Sequence, residues 1–281
     1  MIPPGSVRSP SVSGSFYSSD PKKLTGDIRK KLASANPPPA LLAGKRPFAY
    51  LVPHAGHMYS GRTAAFAFNV LKAHPVSTVI LLGPSHHVFV SGSCTVADGS
   101  FETPLGSVPI HKDIASFLLK KNRLSLNQEA HLAEHSLEVQ LPFLQNVLPD
   151  GFRIVPILTG ENSLSHIERL SGLLLEVFDG FPDESFAVVA STDLSRFHTA
   201  EAAERMDRRF LDLLAGFRLT ELIQGLNENR IEACGTGSIL TALFLARTLE
   251  RTEVTILDRT DSSTASHDKK RVVGYFSAVI R

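Results

Sequence analysis

The chain has 281 residues, 43% of them hydrophobic, which is enough for a sizeable core. Its 29 basic and 28 acidic residues leave a formal net charge of +1, so neither nucleic acid nor an anionic membrane is expected as its main partner. The two cysteines, Cys94 and Cys234, form neither a disulfide framework nor a CxxC pair, and that usage fits a reducing cytoplasm.

The N-terminus, Met1-Ile2-Pro3-Pro4-Gly5-Ser6, lacks the apolar centre of a signal peptide. Residues 1–20, rich in Ser, Pro and Gly, are expected to lie extended over the body, anchored by Phe16 and Tyr17. Residues 24–32 suit an exposed helix, which Asn36-Pro37-Pro38-Pro39 ends. An apolar strand at 47–52 is followed by a helix at 60–73 carrying Ala64, Ala65, Phe66, Phe68 and Leu71. A second strand is expected at 77–82, then short strands or an extended loop over 93–110. Ile114, Phe117 and Leu118 mark a helix at 113–121. Leu137, Leu141, Leu144 and Leu148 mark another helix face, with Pro142 as a kink or restart.

Residues 153–158 read as a strand, although Pro156 argues against an interior position. Ser163 can cap the helix that holds Ile167, Leu170, Leu174 and Val177. A strand at 185–190 precedes helices at 200–215 and 219–229. A further helix at 239–249 is entered through Cys234-Gly235-Thr236-Gly237. Its run from Ile239 to Ala246, broken by Thr241, is far short of the about 20 residues that a membrane span needs. Strands at 253–257 and 272–280 close the chain around a polar loop at 261–270. Alternating strands and helices predict an α/β fold. It is expected to be one domain over 1–281, with a mostly parallel central sheet covered by helices on both faces.

Three apolar strands end in polar, histidine-bearing turns. They lead into Pro53-His54-Ala55-Gly56-His57, into Gly83-Pro84-Ser85-His86-His87, and into Ser191-Thr192-Asp193-Leu194-Ser195-Arg196-Phe197-His198. Sites in α/β sheets form outside the carboxyl ends of strands, so these turns and Cys234 are read as walls of one pocket. His54 and His86 are the leading pair, since imidazole is both a metal ligand and a general base. Cys234 precedes a helix N-terminus, which favours the thiolate; it is equally readable as a small buried hydrophobe. Packing is the reading for Cys94. His57 and His87 are either orienting donors or ordinary histidines, and Tyr59 either donates a hydroxyl or packs.

His131-Leu132-Ala133-Glu134-His135 matches the H-x-x-E-H pattern of inverted zinc peptidases, in which a helix would bring His131 and His135 to one zinc ion. The motif is short and no third ligand is identifiable. A His135–Glu138 polar pair beside the pocket is the better use of the stretch. Asp193 orients an imidazole, takes a proton or caps a helix. Phosphate-binding glycine loops and the G-x-S-x-G elbow are absent.

Together these stretches resemble the Memo-like family, also called AmmeMemoRadiSam system protein B. The resemblance rests on Gly14-Ser15-Phe16-Tyr17, Pro53-His54-Ala55-Gly56 with Tyr59 and Gly61, and Gly83-Pro84-Ser85-His86-His87. It rests further on Thr103-Pro104-Leu105-Gly106, the run from Glu134 to Phe143, Ser191-Thr192-Asp193-Leu194-Ser195 and Cys234-Gly235. It implies a fold like the class III extradiol dioxygenases and a metal pocket whose ligands map onto His54, His86 and Cys234. Iron(II) or copper, with zinc as a third candidate, would be the metal. The substrate would be a small molecule such as an aromatic diol, with His135, Asp193 or His198 as acid/base groups. A non-enzymatic module that sequesters metal or recognises a peptide is the alternative. The family carries a histidine where this chain has Arg196. The expectation is that Arg196 points outward while His198 supplies the imidazole; alternatively Arg196 faces the pocket and binds an anion.

Overall fold

The computed structural model describes residues 5–120, 123–160 and 163–281. Residues 1–4 of the expected extended segment, and Lys121 at the end of the helix expected over 113–121, lie outside the described residues. The strands are β1 (Val7–Arg8), β2 (Ala49–Val52), β3 (Thr78–Pro84), β4 (Ser93–Thr95), β5 (Ser100–Thr103) and β6 (Gly106–Pro109). They continue with β7 (Ser125–Leu126), β8 (Arg153–Thr159), β9 (Phe186–Ser191), β10 (Arg196–His198), β11 (Val254–Asp261) and β12 (Val272–Ile280).

The main sheet runs β10-β12-β2-β9-β3-β8-β4-β7, with β11 also on β12. Its centre, β2-β9-β3-β8, is parallel. Antiparallel pairs, β12 on β2 and β4 on β8, extend it on both sides. A small separate sheet joins β1, β5 and β6.

The central strands are buried on both faces, which is why they read as unbroken apolar runs. Their side chains still alternate. Tyr50, Val52, Val79, Leu81 and Val189 enter one core, while Ala49, Leu51, Ile80, Leu82 and Val188 enter the other. Helices Pro21–Ser34, His57–Ala73 and Leu141–Val147 cover the first face through Ile28, Phe68 and Leu144. Helices Leu164–Gly180, Ala200–Ala215 and Thr236–Thr248 cover the second through Leu170, Phe210 and Leu243. The α/β architecture with helices on both faces is as expected. No helix among the described residues is long and apolar enough to cross a membrane.

Several local expectations are corrected. The helix expected to be exposed at 24–32 spans Pro21–Ser34 and buries Leu24, Ile28 and Leu32, one stripe at four-residue spacing. Pro156 does sit inside β8, opposite Leu81; it has no N–H to give, and its carbonyl accepts from the Thr95 hydroxyl at 2.6 Å. The 137–148 stretch splits into a 3-10 turn, Glu138–Gln140, and the helix Leu141–Val147, with Pro142 in the first turn as the restart. Strand β11 extends to Asp261, and the loop after it holds a short helix, Ser263–Ser266. Tyr17, an expected anchor of the N-terminal segment, is buried as expected, and Arg8 is buried with it.

Candidate metal centre

Strands β2, β9 and β3 are neighbours, run in parallel and end at the same edge of the sheet. His54 follows β2 by two residues, Asp193 follows β9 by two and His86 follows β3 by two. The fourth wall is Cys234, two residues before the helix Thr236–Thr248. Gly235 lets that turn close on β9: a Cβ there would collide with the Ser191 carbonyl and lie 2.7 Å from Thr192 Cβ. The amides of Cys234 and Asp193 tie the two turns together, donating to the Asp193 carbonyl at 3.1 Å and to Cys234 Sγ at 3.2 Å.

His54, His86 and Cys234 each offer one ligand atom, and these atoms all lie within 4.8 Å of one another. Hydrogen-bond partners decide which imidazole nitrogen is offered. The Ser191 hydroxyl donates to the Ser136 carbonyl at 2.8 Å, so it accepts from His54 Nδ1–H at 2.7 Å and leaves the Nε2 lone pair facing the site. His86 Nδ1 meets Glu134 Oε1 at 3.0 Å, while its backbone amide donates to Oε2 of the same carboxylate. His86 Nε2 is buried without any hydrogen-bond partner. A carboxylate behind one nitrogen and an orphan lone pair on the other is the arrangement of a ligating histidine. Two imidazole nitrogens and one sulfur therefore fit a soft or borderline metal ion.

The electrostatics follow from burial. Burial, with the nearby His86, His135 and Arg196, holds His54 well below the ordinary histidine pKa, so it is neutral near pH 7. Burial likewise takes His135 down to about 4. Glu134 loses solvent too, yet hydrogen bonds from His86 and the Ser136 amide hold its carboxyl at about 2. The Cys234 thiol is not activated by its helix as expected: burial and the Asp193 carboxylate push it up to about 12, against the opposing pull of Arg196. A bound cation is what would favour the thiolate here.

His135 joins the site as a ring rather than through Glu138. It stacks on His86 at 4.7 Å between centroids, meets His54 edge-on at 5.5 Å and packs on Phe16 at 4.9 Å. Glu138 faces the other way, onto Arg8, Ser11, Val12 and Tyr17. The zinc-peptidase arrangement is absent: the helix Gln128–Leu132 ends before His135, and His131 is buried near Cys94. His57 also lies apart, with Nε2 donating to the Val139 carbonyl at 2.8 Å. Cys94 is packed as expected. His87 is exposed beside His86 and His135, and Tyr59 is exposed.

The expectation for Arg196 and His198 is reversed. His198 turns to Glu232, Nε2 to Oε1 at 2.9 Å, and brings no imidazole to the centre. Arg196 Nη2 lies 3.3 Å from His54 Nε2, 3.3 Å from Cys234 Sγ and 3.1 Å from Asp193 Oδ2. The cause is Phe197, which sits in the left-handed region at φ 66° where β10 slips register against β12. That twist breaks the alternation that would have put residues 196 and 198 on one side. Sequence reasoning gave no task to Ser191 or to Glu134. Glu134 stood inside a visible motif, but its neighbours form a turn rather than a helix.

Comparison with known proteins places the chain in a family. A family model described as Memo-like protein matches residues 8–279. A MEMO1 family protein of Methanopyrus kandleri is 32% identical over 285 residues, covering 98% of this chain and 99% of the relative. MEMO1 family proteins of Saccharolobus islandicus and Saccharolobus solfataricus are 35% and 33% identical, each covering 96% of this chain and 98% of the relative. With a match over nearly the whole chain and a preformed two-histidine, one-cysteine cluster at the sheet edge, the chain belongs to the Memo-like family.

Proposed function

We propose that the cluster of His54, His86 and Cys234 binds iron(II) or copper and serves oxidoreductase chemistry on a small molecule such as an aromatic diol. The observation that carries this reading is the pair of oriented Nε2 atoms, one of them without a partner, converging with a sulfur within 4.8 Å. Imidazole and thiolate together suit these metals better than magnesium or calcium, and zinc is the third candidate. A bound iron(II) or copper ion would supply an open coordination position and one-electron chemistry. The chain's own residues do the rest. Glu134 and Ser191 hold the two imidazoles in register. His135, neutral and stacked on His86, is placed to accept a proton from a bound hydroxyl. Asp193 fixes the His54 backbone through its amide at 2.9 Å.

A cysteine where an oxygenase centre would carry a carboxylate favours a second reading, a module that holds metal without turnover and meets a peptide partner. Anaerobic purification with metal analysis, followed by oxygen uptake on a panel of catechols, tests both. Stoichiometric iron or copper with uptake supports the oxidoreductase. Stoichiometric metal without uptake on any catechol supports the module. A protein that takes up neither metal refutes the metal centre.

A further inference from the structure

Arg196 occupies the position a cation would take. A single nitrogen, Nη2, lies within 3.3 Å of two of the three candidate ligand atoms and 3.1 Å from Asp193 Oδ2. Its hydrogens aim at the lone pairs that a metal ion would need. The third candidate ligand, His86 Nε2, is left with no partner, so the guanidinium satisfies only part of the centre. A fixed positive charge a few ångströms from a divalent ion repels it strongly in a partly buried site. Arginine keeps its charge at any accessible pH, so the repulsion cannot be relieved by losing a proton.

The guanidinium has somewhere to go. Arg196 and Cys234 also line an open cavity of about 320 Å³, together with Asn227, Asn229, Glu232 and Thr236. Glu232 is already tied to this strand, since its Oε2 accepts from the Arg196 amide at 3.1 Å and its Oε1 meets His198. Two carboxylate oxygens have more acceptor sites than these two contacts use. Arg196 Nε is buried without a partner in the inward position and its side chain is 31% exposed, so leaving forfeits the Nη2 contacts but no bond at Nε.

Resting on the metal-centre reading, we infer that Arg196 is an internal cation that competes with the metal for His54 and Cys234, and that metal binding swings it toward Glu232. It thereby sets the affinity of the centre. The test is anaerobic cobalt(II) titration of the full chain, followed by the thiolate-to-cobalt charge-transfer band and by competition with a chelating dye. Arg196→Gln keeps a polar side chain, though a shorter one, and removes the charge; it is expected to bind cobalt(II) at least about tenfold more tightly than wild type. Glu232→Gln, which touches no ligand, is expected to bind it severalfold more weakly by removing the receiving carboxylate. Equal affinity of wild type and Arg196→Gln overturns the proposal and leaves the metal centre standing. Weaker binding by Arg196→Gln also overturns it, showing that the arginine supports the metal. If Arg196→Gln does not fold, unchanged affinity in Glu232→Gln overturns it. Failure of wild type and Arg196→Gln alike to bind cobalt(II), both folded, overturns the metal centre and this inference with it.

Discussion

Replacing Glu138 by Gln is expected to destabilise the protein by about 3–5 kcal/mol, because it leaves the Arg8 guanidinium buried against a neutral group. The magnitude follows from the contacts. One Glu138 oxygen accepts from Arg8 Nη1 at 2.8 Å and from the Ser11 amide and hydroxyl, each at 2.9 Å; the other accepts from the Val12 amide at 3.0 Å and from the Tyr17 hydroxyl. Glutamine has the same shape, so no cavity forms, but its NH₂ must face one of these donor sets. Turned toward Arg8 it opposes a charged donor. Turned toward Val12 it strands a buried amide, at about 1–3 kcal/mol, and Arg8 still loses its counter-charge. Arg8 also binds the His131 and Glu134 carbonyls, so the loss reaches the turn that orients His86. Urea unfolding of both proteins measures the difference. Burial alone would raise the Glu138 pKa, yet Arg8, the Tyr17 hydroxyl and the Ser11 and Val12 amides hold it below its ordinary value. The wild-type advantage is therefore present above the usual carboxylate range and is lost as pH falls through the lowered folded-state pKa. A Glu138→Gln protein within about 0.5 kcal/mol of wild type at neutral pH, the range of an ordinary surface change, would refute the reasoning.

Cys234→Ser should lose most of its bound iron or copper while unfolding within about 1 kcal/mol of wild type; equal metal content in the two proteins rejects a ligand role for the thiol. Gly235→Ala should cost about 1–3 kcal/mol and lower metal content, because the new Cβ meets the Ser191 carbonyl and pushes Cys234 away; a neutral effect on both measurements rules out the close approach. Asp207, buried below Ser195 and Gly274, has its carboxyl pushed up to about 6, chiefly by burial. Its stability contribution is therefore full below the unfolded value near 3.9 and lost as pH rises through about 6. The stability of wild type relative to Asp207→Asn should fall by up to about 3 kcal/mol between roughly pH 4 and pH 8, and a pH-independent difference contradicts it.

The sheet was legible because its central strands are buried on both faces. Val79 to Leu82 and Ala187 to Ala190 read as unbroken apolar runs, which a strand covered on both faces can bury whole. The helix Pro21–Ser34 was misjudged for the opposite reason. Its buried stripe is only Leu24, Ile28 and Leu32 among lysines and arginines, and composition outweighed periodicity. Strands β1, β7 and β10 have two or three residues each, too short for any alternating pattern to declare itself. The N-terminal segment reads from its Ser, Pro and Gly content as extended over the body, with Phe16 and Tyr17 as its anchor. What holds it is the carboxylate of Glu138, more than a hundred residues away, and local sequence carries no trace of such a partner.

The same distinction separates the parts of the site. His54, His86 and Asp193 were readable because each stands two residues beyond a parallel strand, and adjacent parallel strands must deliver their ends to one edge. Arg196 was not, because its direction depends on one backbone angle. In regular strand geometry, residues 196 and 198 share a side, and the imidazole two positions on would be as well placed as the guanidinium. Phe197 takes a positive φ, which for an aromatic residue has no sequence signature of the kind glycine provides. The residue is 63% exposed, and the Arg271 guanidinium lies over its ring, 5.0 Å from the centre. The backbone thus spends a strained residue on turning a permanent positive charge into a pocket built of candidate metal ligands. Strain held at such a place points to function at residue 196 itself. For that reason the charge of Arg196, rather than the imidazole of His198, is the feature to alter first.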